Sequence, residues 1–235
     1  NLRRGVAYKT LHSDLRDSEI ETKRFLREAR VTANIQHPGT VPLYELGRDR
    51  EGQLFFTMKK VEGRDLREIL FDLRQEVPDV VEKFPLPRLI DILIQVSQTI
   101  AYAHEMGVIH RDLKPANLLV PNDAHQAGAQ IKLADFGIAK LFGAASQTAH
   151  GSIVGTAEFM APEQAAGKPL DARADLYTLG LVMFTMLAGK PPFRGTQLTE
   201  IITKQLREAP PRVSSFRDKI PKEFDNLIDE LLAKD

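Results

Sequence analysis

The chain has no cysteine. Disulfides, thiolate nucleophiles and cysteine-bound zinc are therefore excluded. It has no surplus of either charge, since 32 Lys and Arg balance 32 Asp and Glu. No global field draws in nucleic acid or an anionic membrane. The six histidines show no paired ligand spacing. Long hydrophobic runs are also missing. The apolar stretches near residues 89–103 and 176–188 fall short of the roughly 18 residues a membrane span needs. No signal-peptide pattern, internal repeat or low-complexity segment is present. What remains is an ordinary globular composition, 43% hydrophobic and 27% charged. A length of 235 residues suffices for one large domain or two lobes sharing a cleft.

Polar loops between buried segments are where rigid scaffolds hold chemistry. The stretch from His110 to Asn117 reads HRDLKPAN and lies between two apolar runs. Asp112 can orient a hydroxyl, and Asn117, five positions on, can hold a metal ion. Earlier, Val6, Ala7, Tyr8 and Lys9 alternate as a strand. Lys9 shares a face with Ala7, and an exposed strand lysine is the plain reading. Residues 18–35 read as a helix with Ser18 as N-cap and Glu21 completing a capping box. Phe25, Glu28, Thr32 and Ile35 share its stripe. Glu28 is either a solvated helix glutamate or one that wants a cation. His37, Pro38 and Gly39 stop the helix.

Residues 41–46 and 54–59 read as two strands around a turn. The break at residues 61–63 marks a boundary. A helix over 65–73 follows, with Asp65 as a candidate N-terminal acid. Residues 77–87, with prolines at 78, 85 and 87, read as a surface insertion with at most a short helix. Residues 89–105 read as a helix apolar almost all round, hence buried, and ended by Gly107. Residues 118–120 and 131–133 read as a hairpin, and Asp135-Phe136-Gly137 leaves its second strand. Residues 143–156 are small and polar. A second buried helix opens around Asp175, runs to Ala188 and is ended by Pro191-Pro192-Phe193. Amphipathic helices are expected over 199–207 and 222–233.

Taken together, VAYK, HRDLKPAN, Asp135-Phe136-Gly137 and Ala161-Pro162-Glu163 resemble the V-A-I-K, H-R-D-x-x-x-x-N, D-F-G and A-P-E motifs of eukaryotic-like protein kinases. The phrasing RFLREAR, HPGTVPLYELG and FTMKKVEG resembles bacterial members. The resemblance spans essentially the whole chain. It implies an α+β, bilobal protein-kinase-like fold: a small antiparallel β N-lobe with one helix over residues 1–60, and a mainly helical C-lobe over 61–235. It implies transfer of the ATP γ-phosphate, with Mg²⁺, to Ser or Thr hydroxyls of protein substrates. Asp112 would orient the hydroxyl and accept its proton, and Lys114 would neutralise charge on the transferred group. Asn117 and Asp135 would hold the metal. Lys9, paired with Glu28, would grip the phosphates. Met58 would be the gatekeeper, Lys59 to Val61 the hinge, and Leu119 a further nucleotide contact. Asp65 would touch the ribose, a reading on a par with its role as helix acid.

By the same resemblance, Asp175 anchors the backbone of the HRD loop. Thr156 contacts Asp112 and Lys114. Arg111 wants an anion, and a phosphate on Thr148 or Ser152, or less readily Ser146, would supply one.

Three departures from the family pattern stand out. The chain opens at Asn1, just before the lysine strand, without the two strands and G-x-G-x-x-G loop that lid the phosphates. It ends at LLAKD, short of the arginine expected to pair with Glu163. Thr32 stands where an apolar residue usually packs on Phe136. The first two suggest a piece of a longer protein with weakened nucleotide binding. The expected setting is cytoplasmic, and a membrane span elsewhere in the full protein is compatible with it. Two rival readings remain: a kinase-fold binding or scaffold module, and a small-molecule kinase. Intact Lys9, Asp112, Asn117 and Asp135 weigh against the first, and the A-P-E-closed segment against the second.

Overall fold

A computed structural model describes residues 5–11, 13–15, 18–122, 130–136, 157–217 and 220–234. Gly137, Ser146, Thr148, Ser152 and Thr156 lie outside them. The first sheet is antiparallel, with β3 (Leu54–Lys59) between β1 (Val6–Thr10) and β2 (Leu43–Arg48). β1 faces β3 in a register that sets Lys9 opposite Phe56. A shift in register between Leu43 and Glu45 bends β2. Strand β2 begins at Leu43 rather than at residue 41, since Pro42 has no N–H to give to a ladder.

One long helix, α1 (Glu19–Asn34), packs on this sheet. The Ser18 hydroxyl accepts the Glu21 N–H at 3.3 Å, satisfying one donor of the first turn. The Glu21 carboxylate pairs with Arg24. Phe25 stacks tilted on Phe56 with ring centres 5.0 Å apart. With Leu11, Ala29 and Leu54 they make a small core separate from the larger one below. Burying an aromatic side chain of this kind stabilises by about 2–3 kcal/mol. Thr32, on the same stripe, is only half-buried.

Below this layer β4 (Gly63–Asp65), β5 (Leu118–Pro121) and β6 (Lys132–Leu133) form a second antiparallel sheet, so the hairpin of residues 118–133 is present. The rest is helical: α2 (Leu66–Arg74), α3 (Pro78–Lys83), α4 (Leu86–Glu105), α5 (Pro162–Ala165), α6 (Arg173–Ala188), α7 (Leu198–Arg207) and α8 (Lys222–Leu231). From Tyr177 to Leu187 helix α6 is buried on all sides and forms the axis of the larger core.

Four expectations need correction. Helix α4 starts at Leu86, because a proline in the first turn forfeits no helical hydrogen bond. It is not buried all round: Leu89, Ile92, Val96 and Ile100 face the core, while Ile94 is 49% exposed. Helix α6 is ended by Gly189, left-handed at φ +74°, before the two prolines are reached. It also begins two residues before Asp175. The 77–87 insertion holds one short helix, α3, as the sequence allows, and its Val80 is buried in the core.

Candidate active site

Three segments meet at Lys9. Its ammonium lies 2.7 Å from Glu28 Oε1 on α1 and 2.8 Å from Asp135 Oδ1 just after β6. It also stands over the Phe56 ring at 5.6 Å. Burial works to lower the Lys9 pKa, but Asp135 and Glu28 outweigh it and the net shift is upward. The Glu28 carboxyl is pushed up by burial, with Lys9 offsetting only part. The sequence places a cation and two acids far apart along the chain, and the fold joins them.

The HRD loop is clamped from beneath. Asp175 accepts the His110 N–H at 2.7 Å and the Arg111 N–H at 2.8 Å, and its Oδ2 is 2.8 Å from His104 Nε2. Burial raises the Asp175 pKa, but the His104 hydrogen bond, the nearby His110 and those backbone donors pull it below the usual carboxylate range. Neither His104 nor Gln164, which donates to Arg111 O at 3.1 Å, carries a signal in the sequence. Each is read only from its contact across the fold.

His110 ties the loop to the residues before Phe136. It is fully buried, with its ring 4.7 Å from that of Phe136. Its Nδ1 accepts the Asp112 N–H at 3.2 Å, so the ring proton sits on Nε2, which donates to Ala134 O at 3.1 Å. Burial holds the imidazole pKa below its ordinary value and favours this neutral form.

Above the clamp, Asn117 Nδ2 donates to Asp112 O at 2.7 Å and to Asp112 Oδ2 at 3.2 Å. Lys114 Nζ reaches the same Oδ2 at 3.0 Å. Asn117 O accepts the Ala134 N–H, drawing the hairpin back beside the loop. Arg111 and Asp135 both carry left-handed backbones, φ +68° and +54°. Non-glycine residues there cost about 1–2 kcal/mol each, and such strain clusters at functional sites.

The other residues read from the sequence as nucleotide contacts lie on β3, β4, β5 and the connection between the first two. Met58 and Lys59 close β3, and the Lys59 N–H is spent on Pro42 O at 2.9 Å. Val61 lies in the connection to β4. Asp65 caps α2, its Oδ1 accepting the Glu68 N–H at 2.9 Å, and pairs with Leu119 across the second sheet. Among the described residues, the Arg111 side chain has Nε and Nη1 buried without a hydrogen-bond partner. Burial and Arg27 lower its pKa, against Asp175.

The sequence profile of the protein kinase domain family matches residues 2–235. The chain belongs to the protein kinase domain family. This kinase domain is 35% identical to a probable serine/threonine-protein kinase of Streptomyces coelicolor over 239 residues, covering 100% of the chain and 34% of that protein. It is also 35% identical to the serine/threonine-protein kinase PknL of Mycobacterium tuberculosis over 229 residues, covering 97% of the chain and 53% of PknL. The kinase domain thus spans between a third and about half the length of these curated relatives. Among solved structures, a PknI kinase domain from M. tuberculosis superposes with a TM-score of 0.71 at 30% identity, covering 98% of this chain and 77% of that one. The α+β, two-lobed architecture is that of the family.

Proposed function

We propose that the chain is the catalytic domain of an ATP-dependent protein kinase that phosphorylates Ser and Thr. The observation that carries this reading is Lys9, held at once by Glu28 and Asp135. An ammonium fixed by two acids from separate segments is poised to meet phosphate oxygens. Phosphoryl transfer asks for positioning and charge neutralisation, and little covalent help.

The residues fit a magnesium ion. The Asn117 amide nitrogen is committed to Asp112, which leaves its carbonyl oxygen to face a ligand. Asp135 is 48% exposed at its side chain and uses Oδ1 for Lys9, leaving Oδ2. Magnesium takes hard oxygens and usually only one or two from protein, with phosphates and water completing the shell. No group of three His, Asp or Glu that could hold a metal occurs among the described residues, and an ion shared with a nucleotide needs none. When bound, Mg²⁺ offsets the charge of the phosphates. Asp112 orients the Ser or Thr hydroxyl and takes its proton. Asn117 fixes the Asp112 backbone and carboxylate, and Lys114 supplies positive charge beside them. Residues up to Lys60 roof the site and those from Val61 form its floor. Use of ATP and the lack of cysteine both suit a cytoplasmic setting. Among the described residues, no helix is long and apolar enough to cross a membrane.

The test is phosphotransfer by the full-length protein. Asp112→Asn should cut turnover at least ~100-fold, the scale of a positioned acid or base, with the fold intact. Near-normal turnover in that variant would overturn the assignment and favour a binding module.

A further inference from the structure

The insertion over residues 77–87 lies outside the Lys9, Asp112 and Asp135 cluster and builds a wall of its own. Helix α3 turns Val80 into the core and leaves Val81 46% exposed. Together with α2, the end of α6 and residues 216–217, it encloses a groove of about 1200 Å³. None of the lining residues belongs to the Lys9, Asp112 and Asp135 cluster.

The groove has an apolar interior and a cationic rim. Leu73, Val81 and Phe84 face it from one side and Phe216 from the other. Phe216 stays 39% exposed although it packs edge-on against Phe184, with ring centres 5.8 Å apart. The rim carries Arg74, Lys190, Arg194 and Arg217, against Glu76 and Glu82. Among the described residues, no ion pair within 4 Å neutralises any of the four cations. Two of them are held in place. Arg74 Nε donates to Gly189 O at 2.8 Å, and Lys190 Nζ caps the Phe216 ring at 4.5 Å. Behind the rim, Glu158 is raised by burial and lowered by Arg194 and Arg74, so it offsets part of their charge. The balance remains positive.

Size and chemistry narrow the occupant. Small-molecule sites are enclosed and run to about 300–1,000 Å³, and this groove is larger and open. Exposed apolar patches rimmed by charge mark protein contacts, and charge complementarity sets which partner is admitted. We propose that this groove docks an acidic segment of a partner protein bearing one or two large apolar side chains. The apolar side chains would enter between Val81 and Phe216. The acids would meet Arg74, Lys190, Arg194 and Arg217. The proposal stands on the groove alone and does not require the chain to transfer phosphate.

The experiment pans a phage library of random peptides, roughly 12 residues each, the length of an anchored helix or strand motif, on the full-length protein. The same library is panned on Lys190→Glu/Arg217→Glu and on Phe216→Ser, each checked for an unchanged cooperative melt. A milder Lys190→Gln/Arg217→Gln pair replaces the reversal if it fails to fold. Enriched peptides should combine acids with Leu, Phe or Met. As synthetic fluorescent peptides they should lose affinity at least ~10-fold on the charge-reversed protein, as expected for complementary charges, and lose it also on Phe216→Ser. No enrichment, enrichment without acids, or equal affinity for parent and variants overturns the proposal. So does a groove substitution whose effect is to abolish self-association in sedimentation or binding to anionic lipid vesicles, since the groove would then hold a second copy or a membrane.

Discussion

Asp175 holds His110 by its backbone, and the same carboxylate holds Arg111, so two consecutive N–H groups end on one buried acid. The His110 bond is buried and the Arg111 bond partly so. Asp175→Asn leaves a single acceptor oxygen and turns an amide N–H₂ toward one of these donors. Hydrogen bonds to a charged acceptor contribute about 1.5–3 kcal/mol each. The variant should lose about 3 kcal/mol of stability, read as a lower urea midpoint with an unchanged slope.

His110 should make the domain acid-sensitive above the carboxylate range. Its folded pKa lies below its unfolded one. The unfolded chain therefore binds the extra proton first as pH falls from about 6.5. Stability from this group is complete above that value and is lost as pH falls toward the folded pKa. Asp175, also depressed, adds a second loss at lower pH, below about 4. Urea midpoints measured from neutral to mildly acid pH should decline in the parent. His110→Phe should be less stable overall but show a shallower decline, with His37, likewise lowered, supplying what remains.

Two glycines should separate by whether their neighbour can yield. A Cβ on Gly39 would overlap the Thr99 hydroxyl, while at Gly63 it would overlap the backbone carbonyl of Val120. Each alanine variant should lose about 1–3 kcal/mol, the usual scale of overpacking. Thr99→Ala should recover part of the loss in Gly39→Ala. No side-chain truncation should rescue Gly63→Ala, since the obstacle is main chain. Thermal melts of the single and double variants decide this.

Arg111 should couple phosphorylation to activity. Among the described residues two of its nitrogens are buried without a partner, an unfavourable state that a phosphate would relieve. With Arg111 intact, phosphorylated protein should turn over faster than phosphatase-treated protein. Arg111→Gln should bring the two to the same rate. Mass spectrometry should find the phosphate within residues 137–161, on Thr148 or Ser152. A full rate difference in the glutamine variant would remove Arg111 from the switch.

Much of this arrangement could be read from the sequence where local chemistry decides it. Ser18 caps α1 because a hydroxyl beside a free N–H needs no help from the rest of the fold. Lys9 and Glu28 were legible as a pair only through resemblance, since nothing local says that β1 and α1 meet. The exposed face of α4 was missed because Ile94 counts as apolar whether or not anything covers it. The end of α6 at Ala188 was read correctly but credited to the wrong residues, because Gly189 acts before the more conspicuous prolines. His104 and Gln164 were invisible, because their importance lies in partners 71 and 53 residues away.

The stretch just after α1 is fastened to the lower sheet. Leu133 N–H donates to Gly39 O at 2.7 Å, Lys132 reaches Pro38 O, and Thr40 bridges in parallel to Leu133. One end of the helix is thus a fixed pivot, while the other ends at the exposed first turn. At 1.5 Å of rise per residue, Glu28 sits roughly 10 Å from that pivot, so a tilt of about 10° carries its carboxylate about 2 Å. That displacement is comparable with the 2.7 Å that separates Glu28 from Lys9. A tilt of that size about the Gly39–Leu133 anchor would break the Lys9 contact without disturbing the lower sheet.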